Sequence, residues 1–231
     1  KLVICSRNEN RIAEAAALIE KETKNKVFWS SADVSSEKDI RNLFNFTMEK
    51  FKTVHILVNN TGGPPSGNLD DLSEKQWNDA FENTVMSVVR FTKLVLPVMK
   101  NNNWGRIINI TSTSVKEPIQ RLLLSNSLRP AVIGFSKSVA DETAQYGITI
   151  NNIAPGFIKT ERHDERINDL SKSSGKTKEE ILRAMIEKVP MKRIGESSEI
   201  ASLCVFLASD AASYITGTTI QVDGGRVRGI F

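Results

Sequence analysis

Few side chains in this sequence are of the types that carry out chemistry. The chain has two histidines, two cysteines and two tyrosines in 231 residues. Cys5 and Cys204 lie far apart, each in an apolar setting, so neither a disulfide framework nor a metal site is indicated. His55 opens an apolar run and reads as a packing residue. His163, in a polar stretch, reads as an exposed loop imidazole, with a role as an acid as the alternative. Hydroxyls, guanidinium groups and backbone remain. Ser112 closes the apolar run that begins at Gly105, where its hydroxyl can either satisfy a turn or face developing negative charge. In Leu57-Val58-Asn59-Asn60-Thr61-Gly62 a glycine follows an apolar strand, which lets the backbone turn sharply and approach a flat ligand. Asn60 either lines that approach or ties down its own loop.

Such groups need a rigid frame. Apolar, β-branched runs at Leu2 to Ser6, Lys26 to Ser30, Ile56 to Asn59, Gly105 to Ile110, Ile148 to Ile153 and Thr219 to Val222 alternate with helical patterns. The helical stretches are about 9 to 22, 36 to 51, 75 to 100, 128 to 145 and 197 to 208. The alternation predicts an α/β fold around a parallel sheet, one domain over residues 1–231. Residues 161–192 differ, being rich in charge, Ser and Lys with one helical stretch from Lys178 to Lys188; they read as a substrate-side insertion or lid, or as a solvated surface helix. Hydrophobic residues at 40% and charged residues at 25% are ordinary globular usage. The net charge of +4 is dispersed, which argues against a nucleic-acid partner. No apolar run approaches the roughly 18 residues that cross a bilayer, so the expectation is a cytoplasmic protein without a membrane partner.

Four segments together resemble the short-chain dehydrogenase/reductase family. Asn59-Asn60-Thr61-Gly62 is similar to its NNAG motif, and Ile107-Ile108-Asn109-Ile110-Thr111-Ser112 to the strand that delivers its catalytic serine. Asn151-Asn152-Ile153-Ala154-Pro155-Gly156-Phe157-Ile158-Lys159-Thr160 resembles its PG motif, and Ile215 to Gly225 its closing strand. The resemblance implies a Rossmann-like, doubly wound parallel sheet. The family's first strand, its glycine-rich pyrophosphate loop and the following helix have no counterpart. The expectation is that about 30 residues precede Lys1, the size of a strand, loop and helix, the alternative being a truncation that has lost the cofactor.

By the same resemblance Ser112 stands at the catalytic serine, Ser125 at the tyrosine, Arg129 at the lysine and Thr84 at the asparagine. Pro155, Gly156, Ile158 and Thr160 would hold the nicotinamide end, with Asn60 and Gly62 along the cofactor. The second strand of such folds ends here in Cys5-Ser6-Arg7 without an acid, so Arg7 and Ser6 imply NADP (NADPH), the alternative being that Arg7 is a solvated loop residue. Asp33 and Val34 would meet the adenine, unless Asp33 caps the next helix. Lys116, Glu117, Glu161 and Arg162, on two walls of the pocket in the family, would favour a polar or carboxylate-bearing small-molecule substrate if they face each other, the alternative being solvated loop charges. The implied function is NADP-dependent reduction of a carbonyl, as in 3-oxoacyl reductases, or of a conjugated double bond. The alternative is a catalytically impaired nucleotide-binding or regulatory protein. Relatives pair through their long helices, which implies a homodimer or homotetramer. Pro130 predicts a late helix start, with Arg129 extended or capping and not sharing a helical face with Ser125.

Overall fold

The computed structural model describes residues 1–230. Each apolar run forms a strand: β1 (Leu2–Ser6), β2 (Val27–Ser31), β3 (Ile56–Asn59), β4 (Gly105–Ile110), β5 (Ile148–Pro155) and β6 (Thr219–Val222). All ladders are parallel, as buried apolar runs separated by helices require. The helices are α1 (Glu9–Thr23), α2 (Glu37–Phe51), α3 (Glu74–Phe81), α4 (Ser87–Asn102), α5 (Leu123–Thr143), α6 (Glu161–Ser174), α7 (Lys178–Glu187) and α8 (Ser197–Leu207). A π-helical turn, Glu82–Met86, joins α3 to α4.

Short-range chemistry sets the helix ends. Asn8 and Ser36 cap α1 and α2 by accepting from the Arg11 and Asp39 amides, and Ser73 with Gln76 and Thr177 with Glu180 form capping boxes on α3 and α7. The core lies on both faces of β4 and β5. Ile107, Ile148 and Ile150 pack with Val95, Met99 and Val139 on one side, while Ile108 and Ile153 pack with Leu207 and Ala212 on the other.

The sheet is in two parts, β2-β1 and β3-β4-β5-β6. The doubly wound order puts a first strand between these two parts, where the sequence offers no counterpart of it. The β1 and β3 strands are not hydrogen-bonded to each other, and Ile56 and Val58 on β3 are each 45% exposed.

Two expectations need correction. The α5 helix does not start late: it begins at Leu123 and carries Pro130 inside it. The missing N–H and the ring clash cost about 3 kcal/mol, but the face bearing Leu124, Ser125, Arg129 and Val132 is buried. Asn126 further anchors the first turn by bonding both the amide and the carbonyl of Ile119. Tertiary packing therefore overrides the local penalty. Second, the polar 161–174 stretch is a regular helix, capped by Thr160 and closed by Gly175 at φ 70°. Its Ile167 packs on Ile181 and Met185 of α7, so His163 in its first turn is buried and not an exposed loop residue.

Candidate functional site

A buried polar network fixes the carboxyl ends of the central strands. The Asn59 amide donates to Asn109 Oδ1 at 2.8 Å; Asn109 in turn donates to Ser136 Oγ and Asn152 Oδ1. Ser136 belongs to α5, so β3, β4, β5 and α5 are locked in register beneath one opening. Satisfied networks of this kind rigidify what they join.

Above it lies a cavity of about 960 Å³. Its lining includes Ser6, Ile12, Asn60–Pro64, the β4 end, Leu122 and Arg166. Ser6, Asn60, Gly62, Ser112, Ser125, Arg129, Pro155, Gly156, Ile158 and Thr160 all line it. Arg7, Asp33 and Val34 do not: Arg7 is exposed beyond the β1 tip, and Asp33 Oδ1 accepts the amide and hydroxyl of Ser35 in a local turn. The Ser35 amide is also the main reason the Asp33 carboxyl sits below its ordinary range. Asp33 is not the cap of α2; Ser36 is.

Two glycines decide how close the backbone comes. A Cβ at Gly156 would lie 2.6 Å from the Asp223 Cβ, so only glycine lets the end of β5 pass that turn. A Cβ at Gly62 would meet nothing within 4 Å, which leaves that backbone open toward the cavity.

Ser125 and Arg129, four residues apart on α5, share one buried face. Ser112 Oγ accepts the Ser114 amide at 3.1 Å, and Ser114 Oγ lies 3.0 Å from Ser125 Oγ. Three serines thus meet where sequence reasoning singled out two; Ser114 was missed because it lies behind the cavity wall. Arg129 Nη1 donates to the Ile110 carbonyl at 3.0 Å, and burial, with Arg162 nearby, pulls the guanidinium down to about 10. Behind it, a small void of about 10 Å³ touches both Arg129 and Thr84. Thr84 Oγ1 is buried without a partner among the described residues, and a void of this size is at the lower limit for one water molecule.

The pocket charges follow expectation in part: Glu161 and Arg162 line the cavity, and Glu117 does not. Lys116 is exposed and does not line the cavity. Glu117 is 3.9 Å from Arg226, Glu161 pairs with Arg11, and Arg162 donates to the Pro64 carbonyl and pairs with Glu165. Of the tyrosines, Tyr214 is fully exposed and Tyr146 packs against the core cluster under Lys100, so no phenol reaches the site. Among the described residues no helix is long and apolar enough to cross a membrane, and no group of three His, Cys, Asp or Glu could hold a metal ion.

The parallel sheet, the strand-end asparagines and the PG segment belong together. The chain belongs to the short-chain dehydrogenase/reductase family: residues 1–226 match a family model described as enoyl-(acyl carrier protein) reductase. It is similar to the NADPH-dependent reductase BacG of Bacillus subtilis, with 30% identity over 230 residues covering 99% of this chain and 89% of BacG. The 3-oxoacyl-[acyl-carrier-protein] reductase FabG of Haemophilus influenzae is 37% identical over 195 residues, covering 84% of this chain and 75% of FabG. Among solved structures, L-sorbose reductase from Gluconobacter frateurii complexed with NADPH and L-sorbose superposes with a TM-score of 0.93 at 28% identity, covering 99% of this chain and 87% of that one.

Proposed function

We propose that the protein is an NADPH-dependent reductase acting on the carbonyl or conjugated double bond of a small molecule. The observation that carries this reading is the convergence of Ser112, Ser125 and Arg129 with the Pro155 to Thr160 segment on one cavity. The cavity also suits the dinucleotide: the open backbone at Gly62 admits a flat ring, and the buried Arg129 fork offers further N–H donors besides the one spent on Ile110. Similar proteins named as NADPH-dependent or solved with NADPH support the choice of coenzyme. Bound NADPH would supply hydride to a substrate carbon.

The chain's own groups supply the rest. The Ser112 and Ser125 hydroxyls would polarise the substrate oxygen. A serine hydroxyl is a much weaker acid than a phenol of pKa about 10, so the proton would come more readily from water than from Ser125. Conjugate reduction tolerates this best, because protonation can follow hydride addition. Arg129 would hold the ribose end through charge-assisted hydrogen bonds. The absence of a phenol from the site favours a second reading, a nucleotide-binding protein without turnover. Loss of reduced-nicotinamide absorbance over a panel of ketones and enones, alongside a direct NADPH titration, separates the two: binding with no oxidation of NADPH on any substrate would sink the reductase.

Two expected outcomes test the residues. Ser112→Ala should lower kcat by about tenfold or more and leave NADPH affinity nearly unchanged, since a hydroxyl facing developing charge acts in the transition state. An unaltered kcat would assign Ser112 to the Ser114 turn alone. NADPH should bind about tenfold or more tightly than NADH, and Arg7→Ala should remove most of that difference. Equal affinities before and after the change would take Arg7 out of the site.

A further inference from the structure

Most arginines around the cavity are already engaged. Arg162 holds the Pro64 carbonyl and Glu165, Arg11 pairs with Glu161, and Arg129 holds the Ile110 carbonyl. Arg226 donates to Thr113 Oγ1 at 3.0 Å, lies over the Phe157 ring and is 3.9 Å from Glu117. Arg166 is the exception. It lines the cavity, is partly buried, and has no hydrogen-bond or ion-pair partner among the described residues. Asp169, one turn further along α6, lines the adjoining vestibule with Arg166 but makes no ion pair with it. Burial first, then Arg226 and Arg162, disfavour the charge on Arg166. Arg162 and Arg226 have Glu165 and Glu117 as their own carboxylate partners, whereas Arg166 has positive neighbours and no ion pair, which suits an anion from outside the chain.

A second unpartnered group on the same helix lines the main cavity. His163, one turn before Arg166 on α6, is 9% exposed, and its Nε2 is buried with no partner. Desolvation keeps the ring neutral at pH 7, so Nε2 can carry the proton and donate. The His163 ring lies beside Phe157, which carries the Arg226 guanidinium on its face. Arg166 and Leu122 line both the main cavity and an adjoining vestibule of about 380 Å³ with Ser66 and Gln120, which Ser6 and Ile12 do not line.

We propose that Arg166, with His163 Nε2, forms the recognition site for a carboxylate on the substrate. One unpaired guanidinium and one neutral donor match a single negative charge, and a planar fork matches a carboxylate's two oxygens. The reading deepens the proposed reductase by naming its substrate class; the reductase chemistry itself rests on Ser112 and Ser125.

The test is binding, measured separately from turnover. Titration of 3-phenylpropionate, which cannot be reduced, is compared with its methyl ester and with 3-phenylpropyl phosphate, with and without NADPH. The carboxylate should bind about tenfold or more tightly than the ester, and Arg166→Gln should abolish the difference. Arg166→Lys should retain part of it, and Arg228→Gln, outside the cavity, all of it. Circular dichroism confirms that each variant is folded. Equal binding of acid and ester, a preference surviving Arg166→Gln, or a preference for the phosphate alone would overturn the proposal. Discrimination without NADPH oxidation on any substrate would leave it standing and remove the reductase instead.

Discussion

Arg129→Met should make the ligand-free protein more stable while weakening NADPH binding by about a hundredfold. Burial holds the Arg129 guanidinium at about 10, below its ordinary range. A base whose pKa is lower in the folded state is penalised while charged. The folded state then binds fewer protons than the unfolded state only as the pH rises through about 10, so stability increases from there toward the ordinary guanidinium range. At neutral pH the penalty is present in full, about 3 kcal/mol. Methionine removes it at similar length but leaves the Ile110 carbonyl without its Nη1 donor, which costs about 1 kcal/mol. The net expected gain is about 1 to 2 kcal/mol, read as a higher urea midpoint at neutral pH that shrinks in alkaline buffer. The affinity loss follows from removing charge-assisted hydrogen bonds worth about 1.5 to 3 kcal/mol. A variant that is less stable yet binds NADPH as before would make Arg129 a prop for β4 and nothing more.

This trade explains why parts of the site were legible in sequence and parts were not. The strands of the parallel sheet are buried on both faces, so each reads as a continuous apolar run, and every one of the six was placed to within two residues. Glycine and proline at strand ends carry their conformational meaning locally, which is how Gly62 and Gly156 stood out. The α6 helix was hidden because its apolar side is narrow: Ile167 and Leu170 suffice only when α7 and Phe157 supply the other half of the cluster. Its boundaries were nevertheless written in Thr160 and Gly175, a cap and a stop that deserved more weight than the polar composition between them. Arg166 had no local signal. It stands out by the partners it lacks, and a missing partner is a property of tertiary structure. Pro130 gave a clear signal that pointed the wrong way, since a single backbone penalty was set against an unseen buried face.

The corrected course of α5 reverses what should follow from rebuilding the family's tyrosine and lysine. Were Arg129 extended before Pro130, replacing Ser125 by Tyr and Arg129 by Lys would fail for want of a shared helical face. In the structure both residues lie on the buried face of one helix, and both line the same cavity. A phenol at 125 would therefore emerge beside Ser112, and an amine at 129 would stand one helical turn away, where it can lower the phenol's pKa. Ser125→Tyr with Arg129→Lys, leaving Pro130 in place, should raise kcat/KM for simple ketones by about a hundredfold, the lower range for a positioned general acid. Room for the ring comes from the 960 Å³ cavity, and the cost is the Ser114–Ser125 hydroxyl contact. The pH dependence supplies a readout that packing alone would not move: ketone reduction should gain an alkaline limb as the new phenol ionises, whereas the native protein should lack it. No gain until Pro130→Ala is added would show that the proline distorts the helix in solution after all. A gain from Ser125→Tyr alone, unchanged by the lysine, would separate the acid from its partner and leave position 129 to the coenzyme.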